Sequence, residues 1–107
     1  MSAIIVSTQS LAASYTDTAR NFLGIKSCSF QVVWATADAV DATIKLQASL
    51  DGTNFEDYGT AYTMNAAAGN HAFAITDRGA LQYFRIVYTK GSNTTGTMNI
   101  YLNQETV

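Results

Sequence analysis

Thr43-Ile44-Lys45-Leu46-Gln47-Ala48-Ser49-Leu50 alternates polar and apolar side chains, and Asp51-Gly52-Thr53-Asn54 follows at once. A period of two puts Ile44, Leu46, Ala48 and Leu50 on one face of a β-strand. Thr43, Lys45, Gln47 and Ser49 then fall on the other. The next four residues carry turn chemistry, because Gly accepts positive φ while Asp and Asn satisfy nearby backbone groups. The unit reads as a half-buried strand ended by a tight turn.

The same pattern extends outward in both directions. Upstream, Cys28, Phe30, Val32 and Trp34 share one face of a run whose other face carries Ser27, Ser29 and Gln31, with Val33 and Ala35 making it partly apolar. Ala3 to Thr8 reads as a first strand. Downstream, His71, Phe73 and Ile75 alternate with Ala72 and Ala74. Phe84, Ile86 and Tyr88 alternate with Tyr83, Arg85 and Val87, and Met98, Ile100 and Leu102 with Thr97, Asn99 and Tyr101. Ala68-Gly69-Asn70, Asp77-Arg78-Gly79 and Lys90-Gly91-Ser92-Asn93 read as loops. Asn65 to Gly69 is a loop of small residues.

Ser10 to Phe22 supports two readings. Leu11, Tyr15, Ala19 and Phe22 recur at helical spacing, while the Thr and Ser content favours a loop leading into a short strand, Arg20 to Leu23. Strands separated by turns at short spacing predict an all-β fold, an antiparallel jelly-roll-like β-sandwich of about eight strands. The 107 residues fit one domain, 1–107, in which 1–19 also fits an N-terminal arm that orders on a partner. The chain has no proline, so its strand edges need protection by charge, by bulges or by a neighbouring subunit.

Composition narrows the function classes. Charged residues make up 13% of the chain, about half the usual share, so Ser, Thr, Asn, Gln and Tyr must finish much of the surface. Such a surface suits packing against other protein. The net charge is −2, and the six cations, Arg20, Lys26, Lys45, Arg78, Arg85 and Lys90, are scattered singly. That argues against nucleic acid as a partner, because such binding needs clustered cations. The single Cys28 permits no internal disulfide and reads as a buried small hydrophobe. No stretch reaches the roughly 18 apolar residues of a membrane span. The Met1-Ser2-Ala3-Ile4-Ile5-Val6 start has neither the basic residues nor the length of a signal peptide. The expectation is synthesis and folding in the cytoplasm and no membrane partner.

Catalytic patterns are scarce. The one histidine, His71, sits on an alternating strand, and no Gly-x-Ser-x-Gly elbow accompanies it. One His and one Cys are too few for a transition-metal site. Asp51, Asn54, Glu56 and Asp57 offer oxygens without EF-hand spacing, so a polar turn is the plainer reading than calcium. The seven glycines are dispersed and form no phosphate cradle. No enzyme, cofactor or metal is expected. Of the aromatics, Trp34 and Phe73 fall at core positions. Tyr83 and Tyr101 fall on the opposite face of their strands and, with Tyr62, are the candidates for an exposed contact surface.

The succession Ser29-Phe30-Gln31-Val32-Val33-Trp34, Ile44 to Phe55, Tyr83-Phe84-Arg85-Ile86-Val87-Tyr88-Thr89 and Gly96 to Leu102 resembles the small β-sandwich virion structural proteins of tailed bacteriophages. These are capsid decoration (cement), head-fibre or tail-associated subunits. The resemblance runs from about Arg20 to Asn103 and lies in strand and turn positions, so no functional residue carries over. It implies a non-enzymatic virion subunit and a homo-oligomer, with a closed trimer the favoured form, bound to a major capsid or tail protein. Ser49 to Phe55 also looks like the strand-turn-strand of discoidin-type carbohydrate-binding sandwiches, although this chain lacks their cysteine pair. The alternative is therefore a carbohydrate-binding module on a virion or cell surface, with a glycan partner. Tyr62, Tyr83 and Tyr101 forming one exposed platform would favour it.

Overall fold

The computed structural model describes residues 4–23, 25–75 and 81–106. Ten strands occur among these residues, and no helix. They are β1 (Ile4–Ser10), β2 (Tyr15–Thr16), β3 (Arg20–Asn21), β4 (Ile25–Ala35), β5 (Ala42–Ser49), β6 (Glu56–Asp57), β7 (Tyr62–Met64), β8 (Gly69–Ile75), β9 (Tyr83–Thr89) and β10 (Thr97–Thr106). Every pairing is antiparallel.

The first sheet has the order β1-β10-β4-β8. In the second, β9 and β5 are the central pair; β2 and β3 lie along the outer edge of β9, and β6 and β7 along that of β5. Each of these outer pairs acts as one interrupted edge strand, so each sheet is effectively four strands wide. Along the chain the eight strand units visit the sheets in the order first, second, first, second, second, first, second, first. This is the jelly-roll order of a double-sheet sandwich.

Alternation explains why the two sheets meet. Phe30, Val32 and Trp34 of β4 and Met98, Ile100 and Leu102 of β10 present one buried layer, opposed by Ile44 and Leu46 of β5 and Phe84, Ile86 and Tyr88 of β9. Cross-strand pairs keep these side chains in phase: Met98 lies opposite Trp34, Ile100 opposite Val32, Leu46 opposite Ile86 and Ala48 opposite Phe84. The core therefore fills the gap between the sheets, with Cys28 buried in it.

The ambiguous stretch from Ser10 to Phe22 is not a helix. Its backbone donors are satisfied from the second sheet rather than from a helical turn of its own. Asp17 N donates to Ile86 O (2.9 Å) and Phe22 N to Gln82 O (2.8 Å). Leu11 is fully buried, and the Tyr88 hydroxyl donates to its carbonyl (2.8 Å). Residues 4–19, read above as fitting an arm, are thus built into the sandwich, with β1 paired along β10 and Leu11 in the core.

Three local expectations need correction. Leu50 is exposed at 67%, because β5 ends at Ser49. Ser49 Oγ accepts from the backbone N–H groups of Asp51 and Gly52, and this turn breaks the pleat before Leu50. The strand foreseen over 20–23 stops at Asn21, whose side chain accepts from Leu23 N and leaves Leu23 exposed. Gly69 and Asn70, read as loop, open β8: a Cβ on Gly69 would lie 2.9 Å from the Trp34 ring, so the ring itself covers that position. Asp77-Arg78-Gly79 lies outside the described residues.

Candidate functional site

The two outer faces of the sandwich differ in chemistry. On the first sheet the outward phase carries residues such as Ser29, Gln31, Val33, Asn99, Tyr101 and Ala72. Across Ser29–Ala35 of β4 and the strand residues paired with them there is no charged residue; Glu105 of β10, paired with Ser27, lies toward one end of the sheet. Its polar groups bond to one another: Thr8 Oγ1 donates to Asn99 Oδ1 (2.8 Å), and Gln31 Nε2 to Asn70 Oδ1 (3.2 Å).

The outer face of the second sheet is charged. Arg85 lies over the Phe55 ring at 3.8 Å and donates through Nε to Gln47 Oε1 (2.9 Å). Gln47 Nε2 donates to Asp57 Oδ1 (3.1 Å), which also meets Lys45 Nζ at 3.1 Å. The Gln47 and Lys45 contacts hold the Asp57 carboxyl below the usual carboxylate range. Sequence reading did not find this network. Its parts sit two residues apart on neighbouring strands, and only the β5–β9 register brings Gln47 opposite Arg85.

The three tyrosines do not share a platform, which corrects the arrangement that the sugar-binding alternative needs. Tyr101 is on the outer face of the first sheet, opposite Gln31. Tyr83 has the outward phase of the second sheet, with its ring against Gly52 in the turn after β5. These faces point in opposite directions, because the sheets meet through their inner sides. Tyr62 pairs with Ile44 and so has the inward phase, at the rim. The outward phase of Tyr83 and Tyr101 was legible in the sequence. That the two strands belong to different sheets was not.

At that rim the edges β8 and β7 face each other. Tyr62 stacks on His71 with ring centroids 3.9 Å apart and 10° between planes, and His71 meets Phe73 edge-on at 4.8 Å. Trp34 lies tilted against Tyr62 at 6.2 Å and donates its indole N–H to Ala66 O (2.9 Å). Tyr62, His71 and Phe73 remain half-buried. His71 is thus packed between two rings on a strand. No group of three or more His, Cys, Asp or Glu that could hold a metal occurs among the described residues.

The opposite rim is polar. Ser7 Oγ donates to the Tyr15 hydroxyl (3.3 Å), which donates to Asp17 Oδ1 (3.0 Å). The buried Asp17 also faces Arg20 at 3.9 Å. A cleft of about 290 Å³ lies beside Leu50, lined also by Ser49, Asp51, Asn54, Glu56 and Leu81. The Asp51 carboxylate there is occupied within its own turn. It accepts from Thr53 N and Asn54 N (2.8 Å each) and from Asn54 Nδ2 (2.7 Å), which holds its pKa far below the usual value.

No protein-family model matches the chain, and no curated protein matches it in sequence. Among solved structures it is similar to the PBSX exported protein XepA, with TM-score 0.66 and 19% identity over 99% of this chain. It spans 37% of XepA. A further structure, a Family 16 Carbohydrate Binding Module-2, is matched with TM-score 0.46 and 11% identity, over 94% of this chain and 74% of that one. The likeness shows that this chain and the matched part of XepA share a fold.

Proposed function

We propose that the chain is a non-enzymatic virion structural subunit, a capsid decoration (cement) protein or another virion-surface protein, acting through oligomeric protein-protein contacts. The observation that carries this reading is the outer face of the first sheet. The part of that face spanned by Ser29–Ala35 of β4 and the strand residues paired with it carries no charged residue, and depletion of charge marks the centre of protein interfaces. The sandwich fold, shared with part of the PBSX exported protein XepA, is compatible with this reading. Many copies, each contributing a modest contact, would bind a particle firmly through multivalency. The partners are further copies of the chain and a major capsid or tail protein.

The carbohydrate-binding alternative needed a tyrosine platform, and the rings lie on separate surfaces. Co-sedimentation tests the choice. Purified chain is mixed with phage particles from its own source that were stripped of it, and the same preparation is run on a glycan array. Saturable binding to particles with an empty array is the expected result. A glycan signal with no particle binding would overturn the proposal.

A further inference from the structure

A sheet edge presents unpaired N–H and C=O groups, and proteins blunt such edges with bulges, breaks, charge or proline. Three of the four edges here carry such a device. β1 is bulged between Ile5 and Ser7. The β2–β3 and β6–β7 edges are broken into pieces of two or three residues. β8 carries none. Gly69–Ile75 follows β4 without a register shift and contains neither charge nor proline. Among the described residues no other strand pairs with it. The rim behind it holds half-buried rings in contact, Tyr62 stacked on His71 and His71 edge-on to Phe73.

We propose that β8 is the seam at which two copies of this chain join, edge to edge and antiparallel, into one continuous sheet. The proposal rests on the reading of the chain as a self-assembling subunit and names the edge that does it. Symmetry restricts the register. A two-fold axis perpendicular to the sheet keeps outward side chains outward, so Asn70, Ala72 and Ala74 must meet residues of that same set. Full overlap of the seven-residue strand then places Ala72 opposite the partner subunit's Ala72. Asn70 falls opposite the partner's Ala74, and His71 opposite the partner's Phe73. No like charges meet. A strand of a different protein would make the same backbone bonds, but only a second copy brings a second Tyr62–His71–Phe73 rim to cover the first. A two-fold seam yields a dimer, or an even-numbered assembly with a further contact, in place of the closed trimer favoured on local symmetry.

The test compares the intact chain with three variants by light scattering behind a sizing column and by oxidative cross-linking. The intact chain is expected at twice the 11.5-kDa chain mass or an even multiple of it. Ala72→Lys sets two cations face to face across the axis on an exposed position and should halve the mass with the circular dichroism spectrum unchanged. Ala72→Cys should form an intermolecular disulfide on oxidation, whereas Thr8→Cys, exposed on the opposite edge strand, should not. An intact chain that is monomeric at every concentration overturns both the seam and the self-assembly reading. An oligomer that Ala72→Lys leaves intact, or that Thr8→Cys cross-links in place of Ala72→Cys, overturns the β8 seam alone.

Discussion

Asp38 and Asp41 hold the loop between β9 and β10 to the loop between β4 and β5. Asp38 Oδ1 accepts from Thr94 N (2.8 Å) while its other oxygen accepts from the Thr94 hydroxyl. Asp41 accepts from Ser92 N (2.9 Å) and Ser92 Oγ (2.7 Å). Donation from these groups lowers both pKa values, as the turn donors lower that of Asp51. A carboxylate whose folded pKa lies below its unfolded value of about 3.9 stabilises the fold above that pH, and the contribution is lost as pH falls through the depressed folded value. Urea midpoints should therefore stay level from neutral pH down to about 5 and fall below about 4, and Asp38→Asn should flatten that fall. A midpoint unchanged between neutral and strongly acidic pH would contradict the clamp. Tyr88 makes a second residue-scale prediction. Tyr88→Phe removes the hydroxyl that serves the buried Leu11 carbonyl and should cost about 1–3 kcal/mol in denaturant unfolding. Which side chains point inward was legible at this scale, since alternation alone identifies Phe84, Ile86 and Tyr88. Which polar atoms meet was not, because Asp38 and Thr94 are 56 positions apart.

At the scale of elements, long strands announced themselves and, β3 apart, short ones did not. β4, β5, β8, β9 and β10 each run for seven residues or more, enough for a period of two to register. β2, β3, β6 and β7 are two or three residues long, and no period can be read in so few. They form because an edge of the central pair is available to them, a tertiary fact. Glycines mark two of the joints. Gly96 has φ +110°, with Leu11 Cδ1 2.7 Å and Ala35 O 2.8 Å from where a Cβ would stand. Gly96→Ala should cost about 1–3 kcal/mol from backbone strain alone, before the clashes are added, as read from the thermal midpoint. At Gly69 the conformation is ordinary and the obstacle is the Trp34 ring at 2.9 Å. Gly69→Ala should loosen the start of β8 against β4, seen as faster amide exchange in β8 while the β5–β9 pair stays protected. Equal protection of both in the variant would show that Trp34 yields without cost.

For the whole molecule, the sequence carried the fold class and left the surfaces unassigned. A jelly roll distributes consecutive strands between two sheets, so residues that look equivalent by alternation, Tyr83 and Tyr101, end on faces pointing apart. The result is a two-sided object: one outer face with a Lys45–Asp57–Gln47–Arg85 network, the other without charge over its central stretch around Ser29–Ala35 of β4. That asymmetry, with one unblunted edge on the sheet whose central outer face carries no charge, is the physical basis for reading the chain as a subunit of a larger assembly. The most direct test is quantitative mass spectrometry of phage particles from the chain's own source, purified on a density gradient. The account predicts the chain in the particle band at a fixed, many-fold copy number relative to the major capsid or tail protein. Its confinement to the soluble fraction, with none in the particle band, would contradict the virion reading.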